Sequence, residues 1–402
     1  IERGKKWYGG DDFIGIWPTW PTLGLDPRNQ WDLYEDLPGG LGQLQNLAAE
    51  TRQKGTRFFI SYNPWDTDTR NENHYSGMGR LIHQITADGV VLDTQGSSSR
   101  KLQNAADSAR EGVIMYSEGM AVPRDMQGIV AGRVHNALYY PPMLNLNKFI
   151  KPDFAIFRVA ELHREPIRRE YALSFFNGYG TEINLFAPGR PEWIDDDYLF
   201  FGRTLMILRA NSPNFTSSHY TPLIETPVDD VFVNKWPLEH KTVYTIFSLR
   251  AEGYSGPLFE AEQKPGWHYV DLWNHSPVRF DTLSNRLYAA VDIDAFSARW
   301  LGTNNEGAVG AIAFLPQLLS VQVNSDTLRL SAKQGTVIKV WKGDPAYSKS
   351  CREYGIESRK ISLHTDFGRY EGKFVVQLFD GSELKDETSF VIEFGAPRLI
   401  SR

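Results

Sequence analysis

The chain has 402 residues, more than a single hydrophobic core usually serves, so two or three domains are expected. Its net charge of −6, without any basic block, argues against nucleic acid as a partner, and no apolar run approaches the ~18 residues of a membrane span. The single Cys351 excludes an internal disulfide and a cysteine metal cluster.

The N-terminal half alternates predicted strands with predicted helices in units of roughly 25 residues. The runs that predict strands are residues 11–17, 56–62, 87–93, 112–118, 154–159 and 179–184. Apolar residues at helical spacing predict helices at 41–55, 78–87, 99–110 and 193–210. This alternation predicts a parallel sheet, and its regular pace favours a TIM-type (β/α)8 barrel over an open sheet.

Two of the predicted strands end on a carboxylate, Asp93 within the stretch 87–96 and Glu118 within the stretch 112–119. The C-terminal ends of neighbouring parallel strands share one face of a barrel, about 4.8 Å apart, so the two acids are expected side by side. A pair of carboxylates about 5–5.5 Å apart is the equipment of a retaining glycosidase. The sequence therefore predicts that Asp93 and Glu118 form the catalytic pair of a glycosidase. A helix cap at Asp93 and an exposed loop acid at Glu118 are the structural alternatives.

Polar and aromatic residues near the other strand ends are candidate sugar contacts, because flat rings pack on the apolar face of a pyranose. They are Trp17, Trp20, Tyr62, Trp65, Asp66, Arg124, His163, Arg164 and Glu182. Core packing would give the aromatic residues the same pattern. Glu161 or Glu165 is a rival for the acid role, although their charged run also fits the first turn of a helix. Scattered histidines and the lack of a glycine-rich phosphate loop predict no metal and no organic cofactor.

Beyond about residue 219 the pattern changes to short alternating strands separated by Gly, Pro and Asn. The expected organisation is a multidomain α/β plus β protein. The predicted domains are a catalytic barrel at 1–218, an antiparallel β-sandwich at 219–315, and a small Ig-like β-sandwich at 316–402.

Several N-terminal segments together resemble one half-barrel of the α-galactosidase superfamily, which comprises glycoside hydrolase clan D and its relatives. The segments are Asp11-Asp12 before Trp17, Leu-Pro-Gly-Gly-Leu at 37–41, Lys54-Gly55-Thr56, and the strand that ends in Tyr62. In that superfamily the fourth strand ends in the nucleophilic Asp, as at Asp93, and endo-α-N-acetylgalactosaminidases carry the acid/base Glu on the fifth, as at Glu118. The resemblance covers roughly residues 10–185.

The chain departs from this pattern at two places. Val91-Leu92-Asp93 replaces the usual Lys-Tyr/Val-Asp, and the first barrel strand is either supplied by residues 1–10 or lies upstream. The resemblance implies retaining hydrolysis of an α-linked oligosaccharide or polysaccharide by a secreted or periplasmic protein. The alternatives are a barrel that only binds glycan, and an inverting enzyme with carboxylates roughly 6.5–9.5 Å apart.

Overall fold

The computed structural model describes residues 1–18, 28–66, 72–93, 99–118, 126, 129–134, 147–161, 168–184, 194–295, 307–393 and 396–399. Within these segments no helix is long and apolar enough to cross a membrane. The same segments contain no group of three or more His, Cys, Asp or Glu side chains placed to hold a metal ion.

Seven parallel strands form the sheet of the N-terminal half, and each pairs with the next along the chain. They are β1 (Phe13–Ile16), β2 (Arg57–Tyr62), β3 (Gly89–Leu92), β4 (Ile114–Ser117), β5 (Ala131–Val134), β6 (Ala155–Glu161) and β7 (Gly180–Asn184). Parallel neighbours require crossover connections, which are largely helical here. The helices are α1 (Glu2–Tyr8), α2 (Gln30–Glu35), α3 (Gly40–Gln53), α4 (His74–Ile85), α5 (Arg100–Ala109), α6 (Asn147–Ile150), α7 (Arg168–Phe176), α8 (Ile194–Ala210) and α9 (Ser212–Phe215).

The sheet curls around a small aromatic core. Phe13 of β1 meets Phe157 of β6 edge-on, with ring centres 5.5 Å apart, and stacks on Phe59 of β2 at 4.3 Å. In a flat sheet β1 and β6 would lie five strand spacings apart, about 24 Å. The predicted barrel-type α/β fold is therefore confirmed, with seven parallel strands in the described part of the chain.

The structure of the N-terminal residues rules out one of the two alternatives for the first barrel strand. Residues 1–10 do not supply a strand, because Glu2–Tyr8 forms α1, which packs on α8. Gly202 of α8 permits this approach, since a Cβ at that position would lie 2.2 Å from the carbonyl oxygen of Trp7.

Helix α7 has no signature in the sequence because it is buried along almost its whole length. Every residue from Arg169 to Phe176 is buried, so the helix lacks the polar face that makes helical periodicity visible. Its C-terminal carbonyl, that of Phe176, accepts hydrogen bonds from Asn234 and Thr245 in the β-region that follows. The helix thereby joins the barrel to that region.

Two β-sandwiches follow the barrel. The first pairs a sheet in the order β12-β11-β15-β9-β8 with a sheet in the order β10-β14-β13. Its strands are β8 (Val231–Leu238), β9 (Lys241–Ser248), β10 (Tyr254–Glu260), β11 (Trp267–Asp271), β12 (Ser276–Pro277), β13 (Arg279–Leu283), β14 (Arg286–Ile293) and β15 (Ala308–Pro316). Apolar side chains of both sheets, such as Ile246 and Val291, share one core.

The second sandwich pairs a sheet in the order β16-β17-β20 with a sheet in the order β19-β18-β21-β22-β23. Its elements are β16 (Leu319–Asn324), β17 (Thr327–Ala332), β18 (Val337–Lys342), β19 (Cys351–Tyr354), β20 (Arg359–Ser362), α10 (Leu363–Phe367), β21 (Gly372–Asp380), β22 (Glu383–Glu393) and β23 (Ala396–Leu399). Acids of β22 join the two sandwiches: Asp386 lies 2.6 Å from His268 and Glu387 lies 2.9 Å from His275.

A charged cluster fixes the end of β3 that lies opposite Asp93. Asp88 accepts a hydrogen bond from the backbone N–H of Phe58 at 2.9 Å, and its carboxylate lies 3.1 Å from Arg52 and 2.8 Å from Arg110. Burial would raise the pKa of Asp88, but the N–H group and the two guanidinium groups outweigh it and lower the pKa below its ordinary 3.8.

We expect Asp88→Asn to lower the free energy of unfolding by about 1.5–3 kcal/mol at pH 7, the usual contribution of hydrogen bonds to a charged group. Because the native pKa is lowered, this contribution is complete above the unfolded value near 3.8 and is lost as the pH falls through the native value. Urea unfolding of both proteins at pH 7, 5 and 3.5 measures it. A stability difference that stays constant down to pH 3.5 would contradict the assignment.

Candidate active site

A row of polar side chains lies across the C-terminal ends of β2 to β5. Asn63, Asp93 and Glu118 each follow their strand by one residue, and Arg133 is the third residue of β5. The backbone N–H groups of Asp93 and Glu118 still donate to carbonyls of the preceding strand at 3.0 Å, so the sheet holds both residues in register. The predicted neighbours are thus adjacent.

The alternation of a β-strand directs these side chains into the barrel. An apolar cluster fills the inside of the barrel, and it contains the residues two positions before Asp93, Glu118 and Arg133 in the chain. It also contains Phe59, which lies four positions before Asn63 and therefore on the same face of β2. The members of that cluster are Phe59, Val91, Tyr116 and Ala131, with Phe13, Trp17, Ile114 and Phe157 against it. The polar row therefore lies directly above the apolar filling of the barrel.

Arg133 lies at the centre of the site and contacts three carboxylates. Its Nη2 lies 3.3 Å from Asp93 Oδ1 and 3.1 Å from Glu118 Oε1, and its Nη1 donates to Glu182 Oε1 at 2.8 Å. The guanidinium also lies over the ring of Trp17, 5.4 Å from its centre, within cation–π range. Arg133 is 3% exposed, so these contacts occur away from bulk water.

Tyr116 and Glu182 fix the position of the Arg133 guanidinium through two linked hydrogen bonds. The hydroxyl of Tyr116 donates to Glu182 Oε2, while Glu182 Oε1 accepts from Arg133. Burial would lower the pKa of Arg133, but the charges of Glu182, Glu118 and Asp93 outweigh it and raise the pKa above its ordinary value. Burial and the neighbouring Glu182 likewise raise the pKa of Tyr116 well above its ordinary value, so its hydroxyl keeps its proton. The guanidinium stays charged and is held in a fixed position.

The contacts of Arg133 limit the separation of the two predicted catalytic acids. Asp93 Oδ1 and Glu118 Oε1 both lie within 3.3 Å of the same nitrogen, Arg133 Nη2, so they are no more than about 6.4 Å apart. Asp93 is 2% exposed, whereas the Glu118 side chain is 24% exposed. One acid is thus enclosed, and the other can reach solvent.

Asn63 occupies the other side of Asp93 from Glu118. Its Nδ2 lies 3.3 Å from Asp93 Oδ2, and its backbone N–H donates to the side chain of Gln30 at 2.9 Å. Gln30 in turn donates to the Asn63 carbonyl at 2.7 Å, and its own N–H donates to Asp66 at 2.7 Å. The side chain of Asn63 therefore stands on a well-fixed backbone.

Four of the predicted site residues, Asp93, Glu118, Glu182 and Trp17, meet around Arg133. Asp93 does not cap the next helix, because Ser99 does so by accepting from the N–H of Leu102. Trp65 is half exposed beside β2, and Asp66 supports the loop through Gln30. The other candidates lie outside the described residues: Trp20, Arg124, His163, Arg164 and Glu165. Glu161 is the last residue of β6, but its side chain is not among those described.

Tyr62 is not placed where the sequence analysis predicted. It is fully buried on the helix-facing side of β2, packs near Trp31, and donates its hydroxyl to the carbonyl of His74. The side chains of β2 alternate between faces, so Asn63, one residue later, points into the barrel instead. Tyr62 is a core residue and does not line the barrel mouth.

Sequence reasoning did not select Arg133, Asn63 or Tyr116 as site residues. Arg133 lies in Ala-Gly-Arg-Val, which is too short and too polar to predict a strand. Asn63 and Tyr116 lie at or near predicted strand ends, and that position is a signal in the sequence. Because β2 is buried on both faces, the sequence pattern does not show that Asn63 points inward.

No protein-family model matches the sequence, and no curated protein matches it either. Among solved structures, a noncanonic maltogenic α-amylase from Thermotoga neapolitana superposes with a TM-score of 0.50 at 12% identity, over 77% of this chain and 92% of that one. An α-amylase from Geobacillus thermoleovorans, complexed with acarbose, gives 0.43 at 13% identity, over 68% and 81%. The galactosidase domain of an α-galactosidase–sucrose kinase gives 0.45 at 10% identity, over 78% and 52%. At such identities the likeness concerns the fold: the chain shares the barrel-and-β architecture of the Thermotoga amylase.

Proposed function

We propose that this protein is a glycoside hydrolase that cleaves an α-linked glycoside with retention, using Asp93 as nucleophile and Glu118 as acid/base. The observation that carries the proposal is their shared contact with Arg133 Nη2, which keeps the nearest oxygens within about 6.4 Å. Retaining glycosidases place their carboxylates about 5–5.5 Å apart and inverting ones about 6.5–9.5 Å apart. A separation of no more than about 6.4 Å between the two carboxylates therefore favours a mechanism that retains the anomeric configuration.

The environments of the two acids suit these roles. In the first step Asp93 forms a bond to the anomeric carbon, the bond to the leaving oxygen breaks, and Glu118 transfers its proton to that oxygen. In the second step Glu118 takes a proton from water, whose oxygen displaces Asp93. Asp93 is enclosed, and Arg133 beside it favours the ionised form that a nucleophile requires. The partial exposure of Glu118 gives water access to the acid/base.

The substrate class rests on the same site and on the resemblance to the α-galactosidase superfamily. Trp17 lies against Arg133 and Trp65 is half exposed beside β2, so both can offer a ring to a pyranose of an oligosaccharide or polysaccharide. An α-linkage is proposed from the resemblance, together with a secreted or periplasmic location and hydrolysis without a cofactor.

One observation favours a second candidate, a barrel that binds glycan without cleaving it. Arg133 Nη2 lies 3.1 Å from Glu118, and a guanidinium beside a carboxylate favours the ionised form, which cannot donate a proton. Hydrolysis therefore requires that bound substrate weaken this contact. A binding protein has no such requirement.

Glu118→Gln tests the acid/base role on a panel of aryl α- and β-glycosides. We expect kcat to fall about 10²- to 10⁴-fold for poor leaving groups, which need a proton, and much less for activated leaving groups such as dinitrophenolate. Glu111→Gln, in the exposed turn that precedes β4, is the matched control and should behave as wild type. Proton NMR of the first sugar released should show the anomer of the substrate.

Three outcomes would count against the proposal. An equal loss for all leaving groups would remove Glu118 from proton transfer. Release of the opposite anomer would establish inversion. Sugar binding without any cleavage would favour the second candidate.

A further inference from the structure

Two buried polar atoms in the row around Asp93 have no hydrogen-bond partner among the described residues, Arg133 Nε and Asn63 Oδ1, and of these two only Asn63 Oδ1 is an acceptor. Asn63 is 2% exposed, its Nδ2 donates to Asp93 Oδ2, and its Oδ1 accepts no hydrogen bond. A buried amide oxygen without a donor costs about 1–3 kcal/mol of free energy, so such atoms call for an explanation.

The unpaired oxygen is informative because of its position. Asn177, Asn211 and Asn214 also have an unpaired Oδ1, but their amide groups donate to backbone carbonyls near helix ends or in the core, away from the polar row. The amide of Asn63 donates to a carboxylate of the polar row and faces the barrel interior. Its orientation follows from that bond, since an ionised Asp93 accepts from Nδ2 and would repel Oδ1. The free oxygen is thus an acceptor within the candidate site.

We propose that Asn63 is a specificity-determining residue that accepts a hydrogen bond from the substituent on carbon 2 of the bound sugar. This inference rests on the proposed function, because it takes Asp93 as the group that attacks carbon 1. Glu118, the proposed proton donor to the leaving group, lies on one side of Asp93, and Asn63 lies on the other side, towards β2. The attacked carbon has two neighbours in the sugar ring, carbon 2 and the ring oxygen, and only carbon 2 carries a group that can donate a hydrogen bond to Asn63 Oδ1.

The ligand class is therefore a pyranoside with a hydrogen-bond donor on carbon 2, either a hydroxyl or an acetamido N–H. The clamp of Gln30 on the Asn63 backbone fixes the acceptor before the sugar arrives, which limits the entropy lost on binding. Hydrogen bonds at carbon 2 also strengthen in the glycosidase transition state, so the effect should appear in kcat/KM.

The test compares wild type with Asn63→Ala on aryl glycosides in 2-hydroxy, 2-acetamido and 2-deoxy forms. Loss of the donor to Asp93 affects all forms equally, whereas loss of the acceptor affects only forms with a donor on carbon 2. We expect Asn63→Ala to lower kcat/KM about 10- to 100-fold more for the accepted donor-bearing form than for its 2-deoxy counterpart. If the larger loss of kcat/KM occurs with the 2-hydroxy glycoside, the natural group on carbon 2 is a hydroxyl. If it occurs with the 2-acetamido glycoside, the natural group is an acetamido group.

Asn177→Ala is the matched control, because it removes an equally buried amide with an unpaired oxygen outside the site. It should leave the ratio between the forms unchanged. Cleavage with an equal loss for all forms would overturn this inference and leave the proposed function intact. If wild type cleaves nothing, calorimetric titration of the methyl glycosides applies the same comparison to Kd. A panel neither cleaved nor bound would overturn both proposals.

Discussion

Asp93→Asn should abolish glycoside cleavage while leaving the protein folded. The amide cannot form the covalent bond to the anomeric carbon, and in coupled catalytic groups the loss of a nucleophile costs about 10⁴-fold or more in kcat, about 5.5 kcal/mol. Asparagine has the same shape, and its oxygen can still accept from Arg133 Nη2, now 3.3 Å from the Asp93 carboxylate. The measurement is kcat for the best aryl glycoside of the panel, together with the urea midpoint of each protein.

The matched control is Asp88→Asn, an aspartate next to the opposite end of the same strand. Asp88 belongs to the structural cluster with Arg52 and Arg110, so its variant should lose stability and keep kcat. The two substitutions should thus give opposite profiles from identical chemistry. Activity that survives Asp93→Asn would move the nucleophile elsewhere, and Glu182 would be the first candidate because it faces the same guanidinium.

Removal of Arg133 should have the second largest effect, on both stability and the pH dependence of activity. Arg133→Met leaves Asp93, Glu118 and Glu182 close together without their shared cation, and loss of one partner of a buried ion pair costs about 3–5 kcal/mol. The three carboxylates raise the pKa of Arg133 against the effect of burial, and the positive guanidinium in turn attracts the negative charge of the two proposed catalytic acids, Asp93 and Glu118. Without it, we expect both limbs of the pH–rate profile to move to higher pH.

Arg158→Met is the control for this experiment. Arg158 is equally buried, lies on the adjacent strand β6, and pairs with Glu170 of α7 at 2.6 Å on the helix-facing side of the sheet. Its removal should cost a similar stability and leave the pH–rate profile in place. If both variants lost stability and neither profile moved, Arg133 would be only a structural support for the barrel.

The strand ends that carry Asp93 and Glu118 could be predicted because their signals are local. A buried parallel strand is a continuous apolar run, and the residue that follows it is visible in the sequence. The bounds of β3, α5 and β4 accordingly lie within a few residues of the predicted segments. The contrast between the alternating N-terminal half and the short strands after residue 219 is equally visible, and it predicted the multidomain organisation.

The orientation of β2 could not be predicted in this way. Both faces of this strand are apolar, since Phe59 points into the barrel while Phe58 and Ile60 point to the helices, so the alternation leaves no polar pattern. A shift of one residue exchanges the faces, and this exchange separates Tyr62 from Asn63. Only the curvature of the sheet decides which of the two lines the site.

The sequence by itself determined the alternation of strands and helices, the β-rich C-terminal half, and the two acids at neighbouring strand ends. These follow from hydrophobic periodicity, which acts over a few residues. The tertiary structure decided that Arg133 joins Asp93, Glu118 and Glu182, residues 40, 15 and 49 positions away along the chain. Curling of the sheet brings these strands to one mouth, and the energy of a shared buried charge depends on distance in space, which local periodicity does not encode.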